Sequence, residues 1–219
     1  SEGNNTGVIE AHTDKEHNGT IILGGMTAGT VNVSGTLDAS APNGGNGGFI
    51  ETSAANVKIA DDVKVTTAAP VGNTGTWLID PTDYTIAAVD PGNGSYMSNA
   101  TLEVSLNSTD VTIETILAGT GNGDIHVNDP VNWAANKLTL NAHGDININA
   151  DLNGTDAAKL ALNFGLGAIS ALNTSQITTT FASVNLPAGT GIFTTTQGLD
   201  GLEKAYTVIT TLGAMGSIT

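Results

Sequence analysis

Leu138-Thr139-Leu140-Asn141-Ala142-His143-Gly144-Asp145-Ile146-Asn147-Ile148-Asn149 is the stretch on which the fold turns. Apolar and polar residues alternate, pass through a short polar corner, and alternate again. Successive side chains on a strand point to opposite faces, so Leu138 and Leu140 look one way and Thr139 and Asn141 the other. The same build recurs from Val31 to Ser40 and from Val57 to Thr66. In a hairpin such a corner reverses the chain. In a solenoid it only bends the chain, and the next rung stacks on the last. Stacked rungs favour ladders of asparagine amides, and Asn141, Asn147 and Asn149 lie within this one stretch. The competing reading places these asparagines in turns.

Outward from this stretch, short β runs bounded by Gly, Asn or Asp continue in both directions. They include Thr20 to Leu23, Gly48 to Glu51, Thr76 to Ile79, Asp110 to Ile113 and Asp124 to Val127. No long helix-period segment interrupts them. The best helical candidate, Ala157 to Leu172, is broken by Gly165 and Gly167. The expectation is an all-β chain, a parallel β-helix (β-solenoid), with rungs of roughly 20–25 residues. About ten such rungs at ~4.8 Å make a rod of about 50 Å. Residues 1–172 are read as rungs. Residues 173–219 are read as a turn-rich β segment that continues or caps them. Within it, Ile192 to Thr196 and Tyr206 to Thr210 are expected to pair as a hairpin around Gly198 to Leu202.

Composition narrows the function classes. The chain has 219 residues, 21 acidic against 6 basic, and a formal net charge of -15. All the basic residues are lysines. Nucleic-acid binding and attachment to an anionic membrane both need cationic surface, so neither is expected. Gly, Asn and Thr number 28, 22 and 32, and stand where charged residues usually do. Cysteine is absent, which excludes thiolate metal sites, disulfides and cysteine catalysis. No apolar run is long enough to span a bilayer as a helix. Both ends read as cuts within a longer chain.

Two stretches carry a family resemblance. One is Gly44-Gly45-Asn46-Gly47-Gly48-Phe49-Ile50-Glu51-Thr52-Ser53, running into Val57-Lys58-Ile59. The other is Gly75-Thr76-Trp77-Leu78-Ile79-Asp80-Pro81-Thr82-Asp83-Tyr84-Thr85-Ile86. Together with Asn185 to Gly189 and Tyr206 to Gly213, they resemble the body of large bacterial exoproteins of the filamentous-haemagglutinin and high-molecular-weight-adhesin type. The resemblance runs from about residue 30 to the end, and the tryptophan segment is its most specific piece. It implies a right-handed parallel β-helix, secreted to the bacterial cell surface. It also implies export through a dedicated outer-membrane pore of a two-partner system, and attachment to host or bacterial surfaces, glycans among them. Neither the secretion domain nor a toxin module of that family is visible, so the chain resembles part of the shaft.

The residues offer several chemical candidates. Glu51, Asp80, Asp83, Asp90 and Glu103 are the candidates for a glycosidase-like carboxylate pair, which needs a groove and a defined separation. Asp61-Asp62 reads as a polar corner between strands. Gly121 to Val127 has one copy of a turn that binds Ca²⁺ only when stacked in several, so weak Ca²⁺ binding is the most it suggests, and no cofactor is expected. His12 and His17 lie in a polar segment with Asp14 and Glu16, where a solvated loop is the first reading and a metal site the second. The three Asp-Pro pairs, at 80, 90 and 129, read as turn starts. Trp77 reads as core. Trp133, read as outward-facing, and Tyr96 are the candidates for ligand contact. Binding is expected from the loops 87–100 and 117–135. The function expected is a non-enzymatic structural and adhesive segment. The alternative is a carbohydrate-active β-helix enzyme using a carboxylate pair.

Overall fold

The computed structural model describes residues 2–14, 17–25, 28–116 and 121–209. The chain passes in order through three sheet faces, circuit after circuit. The first circuit is β1 (Glu2–Asn5), β2 (Val8–Glu10) and β3 (Thr20–Gly24). The second is β4 (Thr30–Val33), β5 (Thr36–Asp38) and β6 (Phe49–Ser53), and the third is β7 (Asn56–Ile59), β8 (Lys64–Thr66) and β9 (Thr76–Asp80). The fourth circuit is irregular: β10 (Tyr84–Ile86), β11 (Tyr96–Met97), helix α1 (Asn99–Leu106) and β12 (Asp110–Glu114). Regular circuits then resume with β13 (Ile125–Val127), β14 (Val131–Trp133) and β15 (Lys137–Asn141). They continue through β16 (Ile146–Ile148), β17 (Leu152–Gly154) and β18 (Lys159–Phe164), then β19 (Ile177–Thr179), β20 (Val184–Asn185) and β21 (Gly189–Gln197). The last described strand is β22 (Glu203–Val208).

Like pairs with like. The first face is one sheet of eight strands ordered β1-β4-β7-β11-β10-β13-β16-β19, and the third is β22-β21-β18-β15-β12-β9-β6-β3. The second face is two short sheets, β2-β5-β8 and β14-β17-β20. Every described pairing is parallel except β21 with β22, which is antiparallel. That hairpin agrees with the pairing expected from the sequence. The strand-rich, parallel architecture also agrees.

Two expectations need correction. The described strands make seven circuits rather than about ten, and aligned partners on successive circuits are not 20–25 residues apart throughout. The interval is 21 between Ile125 and Ile146, but 41 between Tyr84 and Ile125, because loops of different length leave the corners. The eight-stranded first face therefore spans about 34 Å at ~4.8 Å per strand. Ala157 to Leu172, the helical candidate that Gly165 and Gly167 break, contains β18, whose alternation packs Leu160 and Leu162 inward.

The core follows from register. On the third face Ile21, Ile50, Trp77, Val111, Leu138 and Leu160 align into one inward column, each at most 4% exposed. Trp77 also donates its indole N–H to Thr52 Oγ1 at 3.1 Å, so the tryptophan is core with its polar atom satisfied. Outward positions form ladders. Asn163 donates to Asn141 Oδ1 at 2.8 Å and Asn141 to Glu114 Oε2 at 2.9 Å. Asn149 donates to Asn128, and Thr178 donates its hydroxyl to Asn147. All three asparagines of the opening stretch are thus linked to neighbouring circuits.

The glycine-rich motif has a packing cause. Phe49 N donates to Gly19 O and Thr76 N to Gly48 O, so the backbones entering β3, β6 and β9 stack directly. A Cβ on Gly48 would fall on the carbonyl of Gly19, and one on Gly75 on the carbonyl of Gly48. Only glycine permits that approach.

Candidate functional site

Irregularity in the fourth circuit builds a groove on the outer side of the first face. β10 sits beside β13 on one side, and β11 is inserted between β10 and β7 on the other. To get there the chain loops out through residues 87–95, and the loop stands on the outer side of the first face. The register makes one outward row: Asn4, Asn32, Lys58, Tyr96, Thr85, His126, Asn147 and Thr178.

A groove of about 530 Å³ lies along the first part of this row. Asn4, Asn32 and Ser34 line one stretch, and Lys58, Asp61, Asp90 and Tyr96 the other. Lys58 Nζ donates to Asp90 Oδ2 at 3.1 Å, closing the loop onto the sheet. Asp90 is itself fixed because its Oδ1 accepts Gly92 N at 2.7 Å. That hydrogen bond, foremost, holds its carboxyl below the usual range, with Lys58 adding to it. Tyr96 faces outward by register yet is only 7% exposed. Burial, then the charges of Asp61, Asp90 and Asp129, push its hydroxyl upward. A smaller hollow of about 130 Å³, lined by Asp83, Thr85, Asp124 and His126 among others, continues the same face.

The structure separates the two aromatic candidates. Tyr96 lines the groove. Trp133 does not face outward: it is 4% exposed, turned inward from β14, and its indole N–H has no protein partner. The alternation of Val131-Asn132-Trp133 puts Asn132 outside instead, so the expected outward-facing tryptophan is corrected.

The carboxylates do not gather in one cleft. Asp83 Oδ1 accepts the N–H groups of Asn122, Gly123 and Asp124 at 2.8–3.1 Å, so this turn presents donors around a carboxylate. Glu103 holds Asn132 N at 2.7 Å. Asp61 and Asp62 form an exposed turn, as expected of a corner. Of the Asp-Pro aspartates, Asp90 caps its own turn and Asp129 accepts Ala88 N at 2.7 Å.

Glu51 and Asp80 do come together, with Glu114 as a third member absent from the sequence-based set. Asp80 pairs with Ser53 in the β6–β9 register, and Glu114 follows in the same outward row one strand on. The signal for Glu114 was its place in Val111-Thr112-Ile113-Glu114, which matches Trp77-Leu78-Ile79-Asp80. Asp80 Oδ1 is buried without a partner, beside a hollow of about 180 Å³. Burial, with Glu114 and then Glu51 adding to it, raises its carboxyl to about 6.

The histidine segment also rearranges. His17 lies beside Asp14 at 3.7 Å, whereas His12 reaches across to Asp38 at 3.3 Å, near Glu10. Burial opposes ionisation of Asp38, but hydrogen bonds from Ser40 and His12 outweigh it and lower its pKa. Glu16 and part of the loop 117–135, residues 117–120, lie outside the described residues. No described helix is long and apolar enough to cross a membrane.

Comparison with family models, with curated proteins and with solved structures found no match.

Proposed function

We propose that this chain is a non-enzymatic structural and adhesive segment of a bacterial cell-surface exoprotein, folded as a right-handed parallel β-helix. The fold reading is supported by the cyclic order of the three faces and the like-with-like parallel pairing. The surface placement and two-partner export rest on the resemblance of the glycine-rich and tryptophan segments to filamentous-haemagglutinin-type exoproteins. The segment acts by stiffness: each circuit satisfies the backbone of the next, while Asn and Thr rows keep the outside polar.

The observation that carries adhesion is the groove beneath residues 87–95. It offers amide, hydroxyl, ammonium and carboxylate groups along a rigid row at strand spacing, and suits a hydroxyl-rich glycan chain. The test is binding of the folded chain to host cells, bacterial cells and a glycan panel, with and without Ca²⁺. Saturable binding that survives ~150 mM salt and is lost in Lys58→Ala and Asn32→Ala supports adhesion. A folded chain that binds nothing is a spacer.

A second reading, carbohydrate cleavage, is favoured by one observation: a protonatable Asp80 next to Glu114 and Glu51. General acid catalysis needs a carboxyl of this kind beside an ionised one. Release of new reducing ends from a polysaccharide, abolished in both Asp80→Asn and Glu114→Gln, would establish it. Unchanged substrate across neutral and acidic glycans removes it.

A further inference from the structure

We infer that Glu10, His12 and Asp38 form a binding site for a first-row divalent cation of the zinc type on the outer side of β2 and β5. The register sets Glu10 directly beside Asp38. The pairing then runs on past β2, with Ala11 N donating to Asp38 O at 2.8 Å and Thr13 N to Ser40 O at 2.9 Å. His12 is therefore held in strand-like backbone, two residues from Glu10 and on the same face. The partly buried neighbours agree with this phase, since Ile9 and Ala11, flanking Glu10, pack against the core.

The donor atoms converge. One atom from each of the three side chains lies within 4.8 Å of the other two, and His12 Nε2 is 3.3 Å from Asp38 Oδ2. Asp38 Oδ1 accepts Ser40 N at 2.9 Å, which orients the carboxylate and leaves Oδ2 toward the imidazole. His12 and Asp38 side chains are 43% and 22% exposed, so an ion reaches them from solvent. Among the described residues this is the one group of three such donors.

The ligand set decides the ion. One imidazole nitrogen with two carboxylates suits Zn²⁺, Co²⁺ or Ni²⁺, whereas Ca²⁺ and Mg²⁺ prefer oxygen donors throughout and more of them. No cysteine competes for the metal. Three protein donors leave a coordination position for water or for a donor from another molecule. A bound ion would clip the first described circuit to the second.

The test is calorimetric titration of the whole chain with Zn²⁺ at about pH 7. One saturable site is expected. His12→Ala and Asp38→Asn should each weaken it by roughly tenfold or more, and His17→Ala should leave it unchanged. In the unsubstituted chain, the His12 imidazole resonances should shift on adding Zn²⁺, a readout independent of any variant's folding. Excess Ca²⁺ should not displace the ion. Equal binding by His12→Ala, loss of binding in His17→Ala, unmoved His12 resonances, or displacement by Ca²⁺ each overturns the site.

Discussion

Single residues owe their chemistry here to the row they occupy. Asp80 is an ordinary strand-end aspartate in the sequence, but stacking puts Glu114 one strand away and Glu51 on the other side. The folded chain binds its proton more tightly than the unfolded chain does, since its carboxyl sits near 6 instead of 3.8. Asp80 therefore costs nothing below about pH 4, and the penalty builds as the pH rises through about 6. Asp80→Asn should raise stability at pH 8 by on the order of 1 kcal/mol, after allowance for solvent screening. The gain should vanish near pH 4. Urea unfolding at the two pH values checks it, and an equal effect at both would remove the electrostatic cause. Tyr96 shows the same dependence on position: the sequence marks it as a loop aromatic, while an inserted strand makes it the floor of a groove.

At the scale of elements, α1 is the piece the strand pattern conceals. It lies between the two short sheets of the second face, where a strand would otherwise run. Leu102 and Leu106 turn fully inward, Glu103 holds β14, and Ser108 Oγ just beyond it donates to Val65 O of β8. Ser98 is its N-cap, accepting Thr101 N at 3.2 Å. An eight-residue helix is unstable alone, so tertiary packing supplies most of its stability. Ser98→Ala should cost about 1 kcal/mol, and Leu102→Ala about 2–5 kcal/mol through the cavity it leaves. Both are read by chemical denaturation. A loss of cooperativity in Leu102→Ala, rather than a lower midpoint, would mean that α1 unfolds independently of the sheets. The helix escaped sequence reading because its apolar signal is two leucines four apart. The strands of the third face were legible because alternation repeats at every circuit.

At the scale of the molecule, the stack is held by parallel pairing between its described circuits. Among the described residues β3 pairs with β6 alone, and its Ile22 is exposed. Unpaired edges recruit other chains unless charge opposes them. The net charge of -15 supplies that opposition near neutral pH, and it fades toward the isoelectric point of about 4.2. Light scattering should therefore rise as the pH falls toward that value. Ile22→Lys should suppress the rise with little change in unfolding temperature, because the side chain is already 61% exposed. Scattering that is equal in both proteins would locate the association elsewhere.

The sequence by itself determined the period-two alternation, the inward and outward sets of most strands, the closing hairpin and the acidic charge. These are local consequences of side-chain direction and backbone sterics, and they need no knowledge of neighbours. Tertiary structure alone decided the number of circuits, the insertion of β11, the place of α1, the inward turn of Trp133, and which distant carboxylates and imidazole meet. Those depend on register between segments 11 to 41 residues apart, set by loop lengths that carry no periodic signal.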